Sequence, residues 1–153
     1  MLESTSARYI LFLTILTTMM ALTYSVCAES PPRTFRELRS FPAAEARQGV
    51  AVDATHFFAI TNRAIGKYDK HSGERVAVWT SPEDSHIRHL NGGTVVEGKL
   101  YCGHSNWPET PFKNTVEIFE TTSLTHLESR VLDMPDKALN WVDYHDGAWW
   151  AAF

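Results

Sequence analysis

His89 and His104 are the side chains of this chain best suited to moving a proton, because an imidazole titrates near neutral pH. Around them recur the groups that hold carboxylates and carbonyls by directed hydrogen bonds: Arg47, Gln48, Asn62, Arg63, Asn91, Asn106 and Asn140, with Glu109 adding a carboxylate. Together they describe a site for a small polar or anionic molecule, with His89 or His104 as general base. Each Asn also has a structural reading, in which it ends a strand by bonding local backbone. Their recurrence as a set carries the site reading. Two sets of side chains offer metal ligands. His86, His89 and His104 offer imidazoles for zinc or copper, but their spacing is irregular and no Cys or carboxylate completes them locally. Asn91, Asn106 and Glu109 offer oxygens for calcium, but such a set would have to be completed from elsewhere in the fold. The sequence names no metal and no cofactor.

The elements that position these residues repeat along the chain. Gly49 to Asp53 and His56 to Ile60 flank a short turn, as do Gly93 to Val96 and Lys99 to Cys102 around Glu97-Gly98. Trp141 to Tyr144 and Ala148 to Ala151 flank His145-Asp146-Gly147 in the same way. Each is an apolar strand, an acidic or Gly turn and an aromatic strand, the pattern of a hairpin. The first two hairpins are each followed by a second strand pair. Ala64 to Tyr68 leads to Glu74 to Trp79, and Asn114 to Phe119 leads to His126 to Val131, with β-branched and aromatic residues alternating with polar ones.

A period of this length made of four-stranded meanders predicts an all-β chain of β-propeller blades. The blades span roughly 46–80, 89–132 and 139–153, the last broken off in the apolar strand ending at Phe153. The expectation is a fragment of about two and a half blades. In such a meander the loop entering the innermost strand and the loop leaving the second share one end. That end collects every candidate named above, with His104 placed in the loop after the second strand. The opposite end carries Asp53, Glu97, Gly98, Asp146 and Gly147, which ordinary turn geometry accounts for.

Gln48-Gly49-Val50-Ala51-Val52-Asp53, Gly66-Lys67-Tyr68-Asp69 and Ser72-Gly73-Glu74-Arg75-Val76 resemble repeats of the YVTN and quinoprotein-like β-propellers. The wider pattern, including Leu90-Asn91-Gly92-Gly93 and Leu100 to Asn106, is similar to uncharacterised secreted bacterial propellers, some of which carry a cycloisomerase label. The resemblance implies a ligand at the channel mouth, with cycloisomerase or lactonase-type chemistry as its enzymatic form. No catalytic motif of those enzymes maps onto numbered positions. A propeller that docks a protein partner is the alternative, with Trp107-Pro108 as its anchor. A quinoprotein-like redox partner is a further one, for which no haem attachment motif is present.

Bulk properties narrow the partners. A net charge of −4 with no run of Lys and Arg argues against nucleic acid and anionic membrane surfaces. A hydrophobic share of 44% argues against disorder and for a packed fold. The apolar run Tyr9 to Met20, followed by small residues at Ala28 and two before it at Val26, has the form of a signal peptide spanning 1–28. The chain is then secreted or periplasmic, and touches a membrane only if that segment stays uncleaved as an anchor. A lipoprotein reading of Cys27 requires a small residue before it, where Val26 stands. Residues 29–42 form an N-terminal extension, with Thr34 to Phe41 considered as a closing strand, and 43–153 the partial propeller. Cleavage leaves Cys102 as the single thiol, so no internal disulfide forms and the core must hold the fold.

Overall fold

The computed structural model describes residues 34–153. The expected signal segment, 1–28, and the start of the extension, 29–33, lie outside the described residues. The chain divides into two units, Met1–Leu38 and Arg39–Phe153. Of the first, only 34–38 are described, and they carry neither helix nor strand. In the second, residues 39–43 likewise carry neither helix nor strand.

Arg39–Phe153 is all-β, with no helix among the described residues. Strands β1 (Gly49–Val52), β2 (His56–Thr61), β3 (Ala64–Asp69) and β4 (Arg75–Thr80) form a first antiparallel sheet in sequence order. A second sheet repeats that order with β5 (Leu90–Val96), β6 (Lys99–Ser105), β7 (Asn114–Glu120) and β8 (His126–Leu132). β9 (Trp141–His145) and β10 (Ala148–Ala152) form a two-stranded third sheet.

Turn chemistry explains where the strands reverse. Glu97-Gly98 and Asp146-Gly147 all have positive φ, between 47° and 77°, as a two-residue hairpin with matching twist requires. Elsewhere a side chain does the work. Asp53 Oδ1 accepts from the backbone of Thr55 (2.7 Å) and His56 (2.6 Å), and Asp69 Oδ1 from His71 (2.8 Å) and Ser72 (2.7 Å).

The core lies between the first and second sheets. Phe58, Ile60 and Ile65 of the first pack with Leu90, Leu100, Cys102 and Phe119 of the second, all fully buried. Trp79 of β4 meets Phe119 edge-on at 4.7 Å. Polar contacts add direction: Lys67 Nζ reaches the Thr122 carbonyl at 3.3 Å, and buried Glu45 accepts from Tyr68 (2.5 Å) and Arg75 (2.7 Å) to tie the entry of the unit onto β3 and β4. Burial keeps the Cys102 thiol protonated, with the nearby Glu117 charge adding to the effect, so it is an inert core residue.

The first strands of the three sheets converge, β1 against β5 and β5 against β9. Their backbones come so close that a Cβ on Gly49 would stand 2.7 Å from Gly92 Cα, and a Cβ on Gly92 would stand 2.9 Å from the Trp141 ring. Gly49→Ala should therefore force the strands apart and destabilise the fold by about 1–3 kcal/mol. An unchanged urea-unfolding midpoint for that variant would contradict this packing.

Candidate ligand-binding site

The converging strands bring their entry loops together at one end. Gln48 stands just before β1, where its backbone N–H donates to Ile60 at 2.9 Å, and its Nε2 donates to Asn62 Oδ1 at 2.5 Å. Asn62 follows β2, and its own carbonyl accepts from Leu90 N at 2.9 Å, which joins the first sheet to the start of the second.

β5 carries a bulge there. Its pairing with β6 steps from Leu90 opposite His104 to Gly93 opposite Cys102, so Asn91 and Gly92 together face one residue. The bulge turns their polar groups toward the third sheet. Gly92 N donates to Asn140 O at 3.2 Å, and Asn91 Nδ2 donates to Leu139 O at 2.7 Å. Asn140 in turn donates its N–H to Ala152 O at 2.8 Å. His89, immediately before β5, lies under Trp107 with ring centroids 5.3 Å apart.

The result is a depression of about 380 Å³ lined by Gln48, Asn62, His89, Asn91, Trp107 and Asn140, with Ala138 at its side. Each of the three sheets contributes. Burial lowers the His89 pKa, so its ring is neutral at pH 7, with one nitrogen free to accept a proton.

Other candidates are placed elsewhere. Arg47 is exposed beside Gln48 but outside the lining. Arg63 spends its guanidinium on the Pro82 carbonyl at 2.6 Å. Glu109 pairs with Arg88 at 3.5 Å on the surface. Asn106 holds its own loop, accepting from Lys113 N (2.7 Å) and donating to Pro111 O (3.2 Å), and so steadies the segment that carries Trp107.

His104 requires a correction. It lies within β6, not in a loop, and its side chain is 3% exposed. Its Nε2 accepts from Arg88 N at 3.2 Å, which puts the ring proton on Nδ1, and Nδ1 donates to Thr115 Oγ1 at 2.8 Å. Thr115 Oγ1 in turn donates to Glu117 Oε1 at 2.5 Å. With both ring nitrogens hydrogen-bonded, His104 is a buried neutral residue that does not line the depression. Asn91 is 5% exposed, and its truncation would unpair a buried carbonyl.

The Glu117 centre went unread in the sequence. This fully buried carboxylate also accepts from His86 (3.0 Å), His126 (2.7 Å) and Ser129 (2.6 Å). Burial pushes its pKa up, but the hydrogen bonds from Ser129, Thr115, His86 and His126 outweigh that and hold it lowered. The signal was period two: Thr115, Glu117 and Phe119 share one face of β7, and Phe119 is plainly a core residue. Asn114 was read only as a strand residue. Its carboxamide bonds Leu139 N, Met134 O and Lys137 O, each at 2.8 Å, and so positions the segment leading to Asn140.

No family model matches the chain, and no curated protein matches it. Among solved structures it is similar to the computationally designed Ika4 protein, with a TM-score of 0.41 and 9% identity over 77% of this chain and 92% of that one.

Burial chiefly drives the His104 pKa down to about 4 against the attraction of Glu117, so the unfolded chain takes up a proton there that the folded chain refuses. The lowered pKa of Glu117 acts in the same direction at lower pH. Stability should therefore be complete above about pH 6.5 and fall as pH drops toward 4, with His104 contributing a loss of about 3 kcal/mol. Urea unfolding across that range checks it. In His104→Gln the slope of stability against pH should flatten, and an unchanged slope would assign the proton uptake to another group.

Proposed function

We propose that Arg39–Phe153 is built of β-propeller blades, that the chain is exported through a cleaved signal peptide, and that it binds a small polar molecule at the channel mouth. Two features support the architecture: a four-stranded meander repeated in sequence order, and first strands that converge across all three sheets. The observation that carries the site is the convergence itself. Gln48 and Asn62 from the first sheet, His89, Asn91 and Trp107 from the second, and Asn140 from before the third meet around one depression although Gln48 and Asn140 lie far apart in the sequence.

Recognition groups converging from separate elements are the hallmark of a ligand pocket, and 380 Å³ falls within the size range of such pockets. His89 is the group placed to accept a proton from a bound ligand, as the cycloisomerase or lactonase reading requires. Arg88, Glu109 and Arg63 are engaged with one another or with backbone, and serve to hold the rim.

A docking surface for a protein partner is the second reading. Trp107 favours it, since its side chain is 54% exposed at the edge of the depression.

The N-terminus of the exported protein should be Glu29 by direct sequencing. Thermal-shift screening of small polar molecules against the folded protein should yield binders whose affinity drops about tenfold in Asn62→Ala and Asn140→Ala, the loss of one ligand hydrogen bond. His71→Ala, at the opposite end of the first sheet, should leave binding unchanged. Binding lost in His71→Ala but kept in the other two would put the site at the wrong end of the strands.

A further inference from the structure

The lining of the mouth depression contains no charged side chain. It is four carboxamides, one imidazole, one indole and one methyl group, although three arginines stand in the adjoining sequence. Two of those arginines are engaged away from the depression, Arg63 on the Pro82 carbonyl and Arg88 on Glu109, and Arg47 stands outside the lining. An anion entering here would lose water and gain no opposing charge.

The hydrogen-bonding pattern points the same way. Asn91 donates through Nδ2 to the Leu139 carbonyl, which fixes the orientation of its amide and leaves Oδ1 as an acceptor. Gln48 and Asn62 bond each other amide to amide, so one acceptor oxygen and one donor nitrogen of that pair remain open. That holds whichever way round the two amides are read. Neutral His89 adds one donor and one acceptor. At least two acceptors in the depression therefore need a hydrogen from the ligand. A carboxylate brings none and would set oxygen against oxygen. A hydroxyl both donates and accepts, and so satisfies either kind of group.

Trp107 supplies the remaining element. Its indole stands half exposed beside the carboxamides, tilted 34° from the His89 ring. The face of an indole is electron-rich, and the C–H face of a sugar ring carries the complementary partial charge.

We propose that the depression takes a neutral polyhydroxylated ligand of the saccharide class, its C–H face on Trp107 and its hydroxyls among Gln48, Asn62, Asn91 and Asn140. This rests on the reading of the depression as a ligand site, and selects the neutral class over the anionic one.

The test is calorimetric titration of the whole protein with a panel of neutral mono- and disaccharides, and in parallel with gluconate, glucuronate and inorganic phosphate. Binding of a neutral saccharide, with affinity unchanged between low and high salt and lowered about tenfold in Trp107→Ala, is the expected result. Trp107 is exposed, so its removal leaves the core intact, and a thermal melt of the variant confirms this. Binding of the anions alone, still dependent on Asn62 and Asn140, overturns the ligand class while the mouth remains a site. Binding of neither class, or of a saccharide indifferent to Trp107, Asn62 and Asn140, overturns the reading of the mouth as well.

Discussion

β1, β5 and β9 lie side by side because a hydrogen stands where a Cβ would be at Gly49 and Gly92. The site depends on that close approach. Loops that enter separate sheets meet only if the strands they feed are in contact, and side chains as short as Asn reach a common ligand only if their backbones are close. At the bulge Gly92 spends its unpaired N–H on the Asn140 carbonyl, and the Asn91 side chain bonds the Leu139 carbonyl, both just before β9. The same few residues that separate β5 from regular pairing with β6 bring the third sheet to the mouth.

A second constraint acts between the first two sheets. Glu117 is a charge without solvent, tolerable because hydroxyl and imidazole groups from β7, β8 and the β4–β5 connection all donate to it. Removing any one donor leaves the carboxylate under-satisfied, which ties the position of the connecting segment to the interior of the second sheet. His86 belongs to that segment, and His89 follows three residues later at the mouth. The buried centre is thus a support for the site although no part of it lines the depression. His104, whose burial disfavours its protonated form, makes acid the condition under which that support is lost.

The hairpins were legible because apolar alternation and turn residues coincide. His56 to Ile60 and Asn114 to Phe119 were expected as strands, and β2 and β7 extend them by one residue each. The four carboxamides of the mouth were legible from topology, since a meander dictates which loops share an end. What misled was polarity at strand ends. His104 and Ser105 read as loop because they are polar, yet β6 continues through both, paired with Thr115 and Asn114 of β7, and the buried His104 ring is satisfied there by Thr115. Glu117 was passed over for the related reason that a polar residue in an alternating strand is taken to face water. Partners such as Thr115 and Ser129 become visible only once β7 and β8 are paired, with Glu117 opposite Ser129. Asn106 follows the local-backbone alternative, and nothing in the sequence separates it from Asn62 and Asn140.

The central claim is that carboxamides from different sheets act as one recognition surface. Their side-chain NH₂ groups each give a resolved pair of signals in a nitrogen–proton correlation spectrum, assignable by single substitution. Titration with a neutral saccharide should shift the signals of Gln48, Asn62, Asn91 and Asn140 together, along one binding curve, while those of Asn106 and Asn114 stay in place. Signals of the four that move with different midpoints, or that stay still while others move, would show that the depression is not a single site.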